Sequence, residues 1–378
     1  MFKGFIRVVC CLIIIMLNIN IDVNAQRIND LNSFKVRNIN EGLSQISVEA
    51  IFQDSNGYVW IGTRDGLNRY NGHKIKIYRK NKKMENSLSG NTITSINEDK
   101  LGNVWVGTTT GLNKIDISNN KITRYLPNEN GCNISHYRIR DILIGEDGEI
   151  LVATNDGLNI YNEKEDDFTR IYGEGYEKGE LSSQIVNALE QDEYGDYWIG
   201  TKEGLNKIDK VNGEVVEYLY DHNNSNSISG NYISSLYYDD SNKELWVGTC
   251  YLGLNKISLN NGTIERFFAG SKSTDLPGAY IKDILKNSNG EVWIATDYGL
   301  VYYDEKNNVF NRKKSDKYDF SNVVSNDINT VFEDNSGMMW VGTPGGISTY
   351  NKTNEFKSYR TSGLMSIFWT QKVKLLRL

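Results

Sequence analysis

The fold is decided by one stretch, Gly57-Tyr-Val-Trp60-Ile-Gly62-Thr-Arg-Asp-Gly66-Leu-Asn-Arg-Tyr70, because the same phrase returns almost to the end of the chain. Its tryptophan recurs at a spacing of 45 to 48 residues, and one degenerate copy has leucine instead. The seven positions are Trp60, Trp105, Leu151, Trp198, Trp246, Trp293 and Trp340. A fixed period of this length is typical of propellers and solenoids.

Each repeat predicts four short strands. The first, for example 47–52, places an aliphatic residue nine positions before the tryptophan, and Leu236 keeps this place in the fifth unit if its turn is one residue longer. An Asp-x-x-Gly turn at 54–57 makes a hairpin with the apolar segment 59–63, because aspartate and glycine both favour tight turns. Gly66 then leads to a third strand, and a fourth follows with a late aromatic or aliphatic pair.

A propeller explains this pattern better than a solenoid does. The coils of β-helices usually repeat at half this length or less, and helical repeats need a 3.6-residue period that is missing here. We therefore predict an all-β fold, a seven-bladed β-propeller of four-stranded antiparallel blades, which occupies residues 26–366.

The beginning of the chain has the features of a secretory signal. Lys3 and Arg7 precede an apolar run at 8–17, and small residues lead up to Ala25. This pattern predicts a signal peptide over residues 1–25 and an exported, extracytoplasmic protein of the periplasm or cell surface. The alternative is an uncleaved anchor, which would tether the protein to the membrane.

The sequence offers little for catalysis, metals or nucleic acid. A formal net charge of −6 argues against nucleic acid as the main partner. The three histidines, His73, His136 and His222, have no cysteine, serine or glutamate at ligand or triad spacing. The Asp-x-x-Gly turns lack the further oxygen ligands of a calcium loop. We therefore predict no catalytic residues, no metal and no cofactor.

The repeated phrase Asp-x-x-Gly-x-[Val/Leu]-Trp-[Ile/Val]-Gly-Thr-x-x-Gly-Leu-Asn-[Arg/Lys] resembles the two-component regulator propeller repeat over residues 34–366. Unit three departs from it at Gly145, Leu151 and Ala153, unit five at Lys243, and unit six at Asn287 and Ala295. In that family, seven repeats form an extracytoplasmic propeller, often followed by a second propeller, a β-sandwich, a membrane span and a histidine kinase or cyclase output domain.

The resemblance implies a ligand-sensing propeller of a two-component-type regulator, without catalysis of its own. It also implies a small-molecule or glycan ligand, a second propeller or output domain as partner, and homodimerisation as an open alternative. Two other functions stay open: a propeller lyase or hydrolase acting on polysaccharide, and a free-standing protein-interaction module. Residues 367–378 fit no repeat and are predicted to be an unstructured tail, as in a fragment interrupted where an eighth unit begins.

The ligand is expected on the face that carries the Thr-x-x-Gly turns and the connections between blades. There the sequence varies within a repeated frame, which suits ligand recognition by a rigid scaffold. For each single residue, the alternative to ligand binding is that it is simply a solvated loop residue. The candidates are Arg64, Asp65, Tyr137, Lys202, Glu203, Tyr251, Asp297 and Tyr298.

Closure of the ring follows from a count of strands. The chain has seven sets of first, second and third strands but eight segments that resemble a fourth strand, so 34–37 and 356–359 compete for the outer edge of the seventh blade. Because closure removes an exposed strand edge, we expect 34–37 to pair beside 347–350.

Overall fold

The structure is a computed structural model that describes residues 34–35, 42–127, 133–171, 180–272, 275–313 and 323–350. Every regular element in these ranges is a β-strand, and the strands form seven four-stranded antiparallel sheets. The first strands of neighbouring sheets contact one another all the way round, from the first sheet to the last, so the sheets close into a ring. The predicted seven-bladed propeller is confirmed. The predicted signal peptide, the segment 356–359 and the tail lie outside the described residues.

The strands are short and evenly distributed. In chain order they are β1 (Phe34–Lys35), β2 (Val48–Gln53), β3 (Val59–Thr63), β4 (Gly66–Tyr70), β5 (Ile75–Tyr78), β6 (Ile93–Glu98), β7 (Val104–Thr108), β8 (Gly111–Asp116), β9 (Lys121–Tyr125), β10 (Ile139–Ile144), β11 (Ile150–Thr154), β12 (Gly157–Asn162), β13 (Asp167–Ile171) and β14 (Val186–Gln191). They continue as β15 (Tyr197–Thr201), β16 (Leu205–Ile208), β17 (Val215–Tyr218), β18 (Ile233–Asp239), β19 (Glu244–Thr249), β20 (Leu254–Ser258), β21 (Ile264–Phe267), β22 (Ile281–Lys286), β23 (Val292–Thr296), β24 (Gly299–Asp304), β25 (Val309–Lys313), β26 (Thr330–Glu333), β27 (Met339–Thr343) and β28 (Gly346–Tyr350). Blades 1 to 6 take four consecutive strands each, beginning with β2 to β5, and blade 7 consists of β26, β27, β28 and β1.

The hydrophobic core lies between adjacent blades. All five residues of β3 are buried, because the second strand of a blade is covered on both faces by neighbouring blades. Trp60 of blade 1 packs in one cluster with Ile93 and Val106 of blade 2. Gly62 permits this contact, since an added Cβ would lie only 2.5 Å from Cγ2 of Ile93.

The Asp-x-x-Gly hairpin is fastened to the tryptophan by a buried carboxylate. Oδ1 of Asp54 accepts the backbone N–H groups of Asn56 and Tyr58, and Oδ2 accepts the indole Nε1–H of Trp60 at 2.7 Å. The same carboxylate–indole bond recurs in three other blades, as Asp99–Trp105, Asp192–Trp198 and Asp334–Trp340. The aspartate and tryptophan of the repeat are therefore structural.

Blades 3, 5 and 6 depart from this arrangement: blade 3 has Gly145 and Leu151 at these places, and blade 6 has Asn287 in place of the aspartate. In blade 5, Asp239 accepts Nζ of Lys286 instead, and the buried Nε1 of Trp246 has no hydrogen-bond partner among the described residues. Leu236 pairs with Val247 as predicted, and the longer turn ends at Lys243, whose φ of 56° takes the place of a turn glycine.

A second polar network holds the opposite end of blades 1 to 4. Asn68 accepts the backbone N–H of Ser44 and donates to the carbonyl of Ile61, while the hydroxyls of Ser44 and Thr63 bond to each other at 2.8 Å. Thr63 also bonds to the carbonyl of Gly66, which fixes the turn between them. Equivalent trios are Ser89, Thr108 and Asn113; Ser135, Thr154 and Asn159; and Ser182, Thr201 and Asn206. This network explains why the repeat contains Gly-Thr and Gly-Leu-Asn.

The ring is closed by the N-terminal strand, as predicted. β1 pairs antiparallel with β28, with Phe34 opposite Tyr350 and Lys35 opposite Thr349. On the inner side, Nδ2 of Asn329 in blade 7 donates to the carbonyl of Val48 in blade 1 at 2.9 Å. The first and last blades are thus joined both at the outer edge and around the central channel.

Candidate functional site

The propeller has two faces of different character. One, which we name the turn face, carries the turns between second and third strands together with the connections between blades. The contacts confirm that these share a face: Gly66 donates its N–H to the carbonyl of Asn91, and Thr92 donates to the carbonyl of Arg64. The other, the hairpin face, carries the Asp-x-x-Gly hairpins and the turns between third and fourth strands, and there Lys210 forms an ion pair with Asp147.

In blade 1 the predicted site residues already have protein partners. The guanidinium Nε of Arg64 donates to Oε1 of Glu49 at 2.7 Å. Asp65 accepts a hydrogen bond from Nδ2 of Asn91 at 2.9 Å and lies 3.1 Å from Nη2 of Arg79. Asp65 therefore ties its turn to the connection between blades, which is a structural role.

Tyr298 also has a partner within the protein. The guanidinium carbon of Arg312, in the outer strand β25, lies 4.2 Å from the centre of the Tyr298 ring. A cation over an aromatic face is a favourable contact, so Tyr298 covers a charge at the outer part of its blade. Its neighbour Asp297 lies on the inner side, where Oδ1 is 3.4 Å from the backbone nitrogen of Tyr280.

Tyr251 occupies an unusual turn. In blade 5 the threonine–glycine turn has one residue more than in the other blades, with Thr249 bonded to the carbonyl of Gly253 four positions on. Tyr251 is held there at a φ of 74°, which is costly for a bulky side chain, and its ring is 67% exposed. It lies 5.4 Å from the ring centre of Tyr280.

Tyr137, Lys202 and Glu203 are exposed on the turn face, and their side chains make no hydrogen bond or ion pair with the residues that the structure describes. The eight candidates thus do not form one cluster. The structure brings together only Tyr251 and Asp297, around Tyr280, while the others are distributed over separate blades.

The structure reveals a set of residues that sequence reasoning missed. In blades 1 to 6, the pairing of the first strand with the second skips one residue, which is a β-bulge. A bulge redirects the side chain of the extra residue and is frequent beside binding sites. The six bulge residues are Glu49, Thr94, Arg140, Asn187, Ser234 and Lys282.

These bulges line one opening. The first strands form the inner ring of the propeller, and each bulge lies near the end of its strand that meets the turn face. Several bulge side chains bridge to the next blade, as Ser234 does to the carbonyl of Ile281 and Lys282 to the carboxylate of Asp327. We name this ring of bulge residues the channel mouth.

Arg140 brings a partly buried positive charge to the channel mouth. Its Nε donates to Oδ1 of Asn155 at 2.8 Å. Burial lowers the pKa of Arg140, and the neighbouring Arg138 lowers it further, whereas the hydroxyls of Tyr232 and Tyr280 act in the opposite direction. Tyr232 belongs to blade 5 and Tyr280 to blade 6, so the guanidinium of blade 3 lies within electrostatic range of the far side of the channel.

Three carboxylates line the channel below the mouth. Burial raises the pKa of Glu190 to about 7, the pKa of Asp283 to about 6, and that of Asp141 above its ordinary range. Each accepts a backbone N–H from the next blade, as Asp141 does from Leu189 and Asp283 does from Val331. They serve as links between blades, and the described residues contain no group of three His, Cys, Asp or Glu placed to hold a metal ion.

One signal in the sequence points to the channel mouth. The bulge residue is the one immediately after the buried aliphatic residue that begins each first strand, for example Arg140 after Ile139. This position changes from glutamate to threonine, arginine, asparagine, serine and lysine among blades 1 to 6. Variation at a fixed place in the repeat indicated the turn residues as ligand candidates, and the same kind of variation indicates the bulge residues.

Comparison with known proteins identifies the repeats. The sequence profile of a family described as "Two component regulator propeller" matches residues 42–65, 87–110, 180–203, 227–251 and 322–345. These segments belong to blades 1, 2, 4, 5 and 7. The unmatched blades 3 and 6 carry the substitutions Leu151, Ala153, Asn287 and Ala295. A curated protein from Formosa agariphila, histidine kinase P4, is 55% identical over 49 residues, which are 13% of this chain and 4% of the kinase.

Solved structures share the fold. The crystal structure described as the extracellular domain of the hybrid two-component system BT3049 from B. thetaiotaomicron is 22% identical, with a TM-score of 0.72. The match covers 85% of this chain and 42% of that chain, so this chain spans less than half of the relative's length. A streptogramin B lyase has a TM-score of 0.57 at 14% identity, over 82% of this chain and 94% of the lyase. Within the described residues, no helix has the length and apolarity needed to cross a membrane.

Proposed function

We propose that this propeller, five of whose repeats match the two-component regulator propeller profile, is the extracytoplasmic, ligand-sensing part of a two-component-type regulator. One observation carries the proposal: the turn face holds unlike side chains on turns that share one threonine–glycine frame, lengthened by a residue in blade 5 alone. A hydrogen bond from the threonine hydroxyl to the glycine carbonyl, as from Thr63 to Gly66, recurs in all seven blades and fixes each turn, so that the exposed residues of the turns project from a rigid frame. A pre-organised surface of this kind loses little conformational entropy on binding.

The ligand proposed is a small molecule or glycan bound at the turn face, without catalysis. Exposed tyrosines support a sugar ligand, because an aromatic ring offers an apolar face together with a hydroxyl that can hydrogen-bond. Tyr137 and Tyr251 are 51% and 67% exposed. Export by the segment 1–25 and homodimerisation belong to the same proposal.

The alternative of a polysaccharide lyase or hydrolase is favoured only by the shared fold of the lyase. The test between the two is direct: incubation with a polysaccharide that binds should yield no shortened chains and no unsaturated ends. Turnover of that polysaccharide would refute the non-catalytic proposal.

Binding itself is tested by a thermal-shift screen with glycan fragments and other small solutes, because a ligand that binds only the folded state raises its melting temperature. The compound with the largest shift is then titrated against matched variants. On the turn face these are Tyr137→Ala and Lys202→Ala, and on the hairpin face Tyr194→Ala and Lys306→Ala, which remove similarly exposed side chains.

We expect the turn-face pair to weaken binding and the hairpin-face pair to leave it unchanged, with all four variants retaining the melting temperature of the unliganded protein within a few degrees. If the hairpin-face substitutions abolished binding while the turn-face substitutions had no effect, the ligand would be on the other face.

A further inference from the structure

The channel mouth contains an arginine that the protein leaves without an acidic partner. No carboxylate among the described residues lies within ion-pair distance of Arg140, and its only side-chain hydrogen bond there is the one from Nε to Asn155. The guanidinium is nevertheless partly withdrawn from water, which is costly for a charge that lacks a counter-ion. By contrast, the other cation of the bulge ring, Lys282, is paired with Asp327.

The bulge residues on either side of Arg140 also have unused polar atoms. Thr94 of blade 2 has a buried hydroxyl, and Asn187 of blade 4 has a buried carbonyl oxygen Oδ1, and neither atom has a hydrogen-bond partner among the described residues. Buried polar atoms without partners are few in natural structures, and they often mark places that water or a ligand fills. Blades 2 and 4 thus each contribute a buried polar atom to one side of Arg140 in blade 3.

The far side of the mouth is aromatic. Tyr232 in blade 5 and Tyr280 in blade 6 lie within electrostatic range of Arg140, and Tyr251 packs against Tyr280 at 5.4 Å. The longer turn of blade 5 holds Tyr251 at a positive φ beside Tyr280. A ligand in the mouth would therefore have cationic and polar groups on one side and tyrosine rings on the other.

These groups define the chemistry of the occupant. A guanidinium binds a planar or tetrahedral anion through paired N–H donors, and a tyrosine ring packs against the apolar face of a saturated ring. A molecule with one anionic group and a compact ring satisfies both.

We propose that the channel mouth binds an acidic sugar, with its carboxylate or sulfate on Arg140 and its ring against Tyr280. This inference rests on the proposed ligand-sensing function and specifies its ligand class. The carboxylates deeper in the channel do not compete for Arg140, because Asp141 and Asp283 are already occupied by N–H groups of the next blades.

The test is calorimetric titration of the full chain with three matched series: galacturonate and glucuronate oligosaccharides, the same oligosaccharides with the carboxylate reduced to an alcohol, and sulfated disaccharides. The variants are Arg140→Gln, Arg140→Lys and the control Lys306→Gln, which removes one exposed positive charge from the hairpin face. Melting temperatures verify that each variant is folded.

We expect an acidic series to bind at least 10-fold more tightly than the neutral one, and Arg140→Gln to weaken that binding by about 10- to 100-fold, since charged hydrogen bonds are lost. Arg140→Lys should retain part of the affinity that Arg140→Gln loses. The control Lys306→Gln should bind as tightly as the unsubstituted protein. Preference for the carboxylate or for the sulfate series identifies the anionic group.

Two results would overturn the inference. One is binding of neutral and acidic sugars with equal affinity, and the other is acidic-sugar binding that Arg140→Gln leaves unchanged. A neutral ligand that binds the turn face independently of Arg140 would preserve the sensing proposal while refuting this one, so the two failures are distinguishable. Absence of any binding by acidic sugars at millimolar concentration would also refute it.

Discussion

Replacement of Asp54 by alanine tests the physical role of the repeated hairpin. Asp54 is fully buried and accepts three hydrogen bonds, from the backbone of Asn56 and Tyr58 and from the indole of Trp60. Trp60 is itself 0% exposed, so its Nε1–H would be left buried without a partner. Such an orphaned donor costs about 1–3 kcal/mol, and the loss of two further bonds to a charged acceptor brings the expected destabilisation to about 3 kcal/mol or more.

The chain supplies its own control at the same place in blade 6. Asn287 stands where blades 1, 2, 4, 5 and 7 have aspartate, and its Oδ1 accepts the N–H groups of Asn289 and Glu291. Asn287→Ala removes no carboxylate, so we expect it to cost about 1–2 kcal/mol. The assay is urea unfolding followed by tryptophan fluorescence, with the slope of the transition compared between variants.

An equal cost for Asp54→Ala and Asn287→Ala would refute the reasoning, as would a cost below about 1 kcal/mol for Asp54→Ala. Either result would mean that the carboxylate–indole bond contributes nothing beyond the turn itself. The tryptophan would then be retained for packing between blades alone.

Two further predictions concern closure and pH. Deletion of residues 26–37 removes β1 and should lower the free energy of unfolding by about 1–3 kcal/mol, since β28 loses the paired backbone of Phe34 and Lys35. A control deletion of residues 26–32 should cost little. Equal effects of the two deletions in urea unfolding would argue against closure by β1. The pKa of Glu190 is raised to about 7 in the folded state, so its ionisation opposes folding. Stability should therefore fall as pH rises from about 5 to 8, by about 3 kcal/mol for this group. Glu190→Gln should flatten this dependence of stability on pH and leave only the contribution of Asp283 and Asp141. A variant whose stability falls with pH as steeply as that of the unsubstituted protein would contradict the assignment of the dependence to Glu190.

The sequence alone predicts the fold almost completely, because local turn chemistry and burial of the second strand repeat in register. The apolar segment 59–63 coincides with β3, and the additional residue in the hairpin of blade 5 follows from its spacing. Closure by 34–35 is also predictable, since it depends only on a count of strands.

The site is less predictable, because its members come from different blades and meet only after the ring forms. Asp65 and Tyr298 look like free turn residues in the sequence, but Asn91 and Arg312 engage them in the structure. Arg140 lies within a strand, and only the bulge, which depends on pairing with the second strand, turns its side chain to the channel mouth.

Hydrogen–deuterium exchange, with and without the compound that gives the largest thermal shift, tests the central claim most directly. If the turn face binds the ligand, peptides that cover turns 63–66, 201–204 and 249–253 and the bulge at 139–141 should exchange more slowly in its presence. Peptides that cover the hairpins at 54–58, 192–196 and 334–338 should exchange at an unchanged rate. Protection confined to those hairpins, with the turns and bulges unaffected, would contradict the account of this propeller as a sensor that reads its ligand at the turn face.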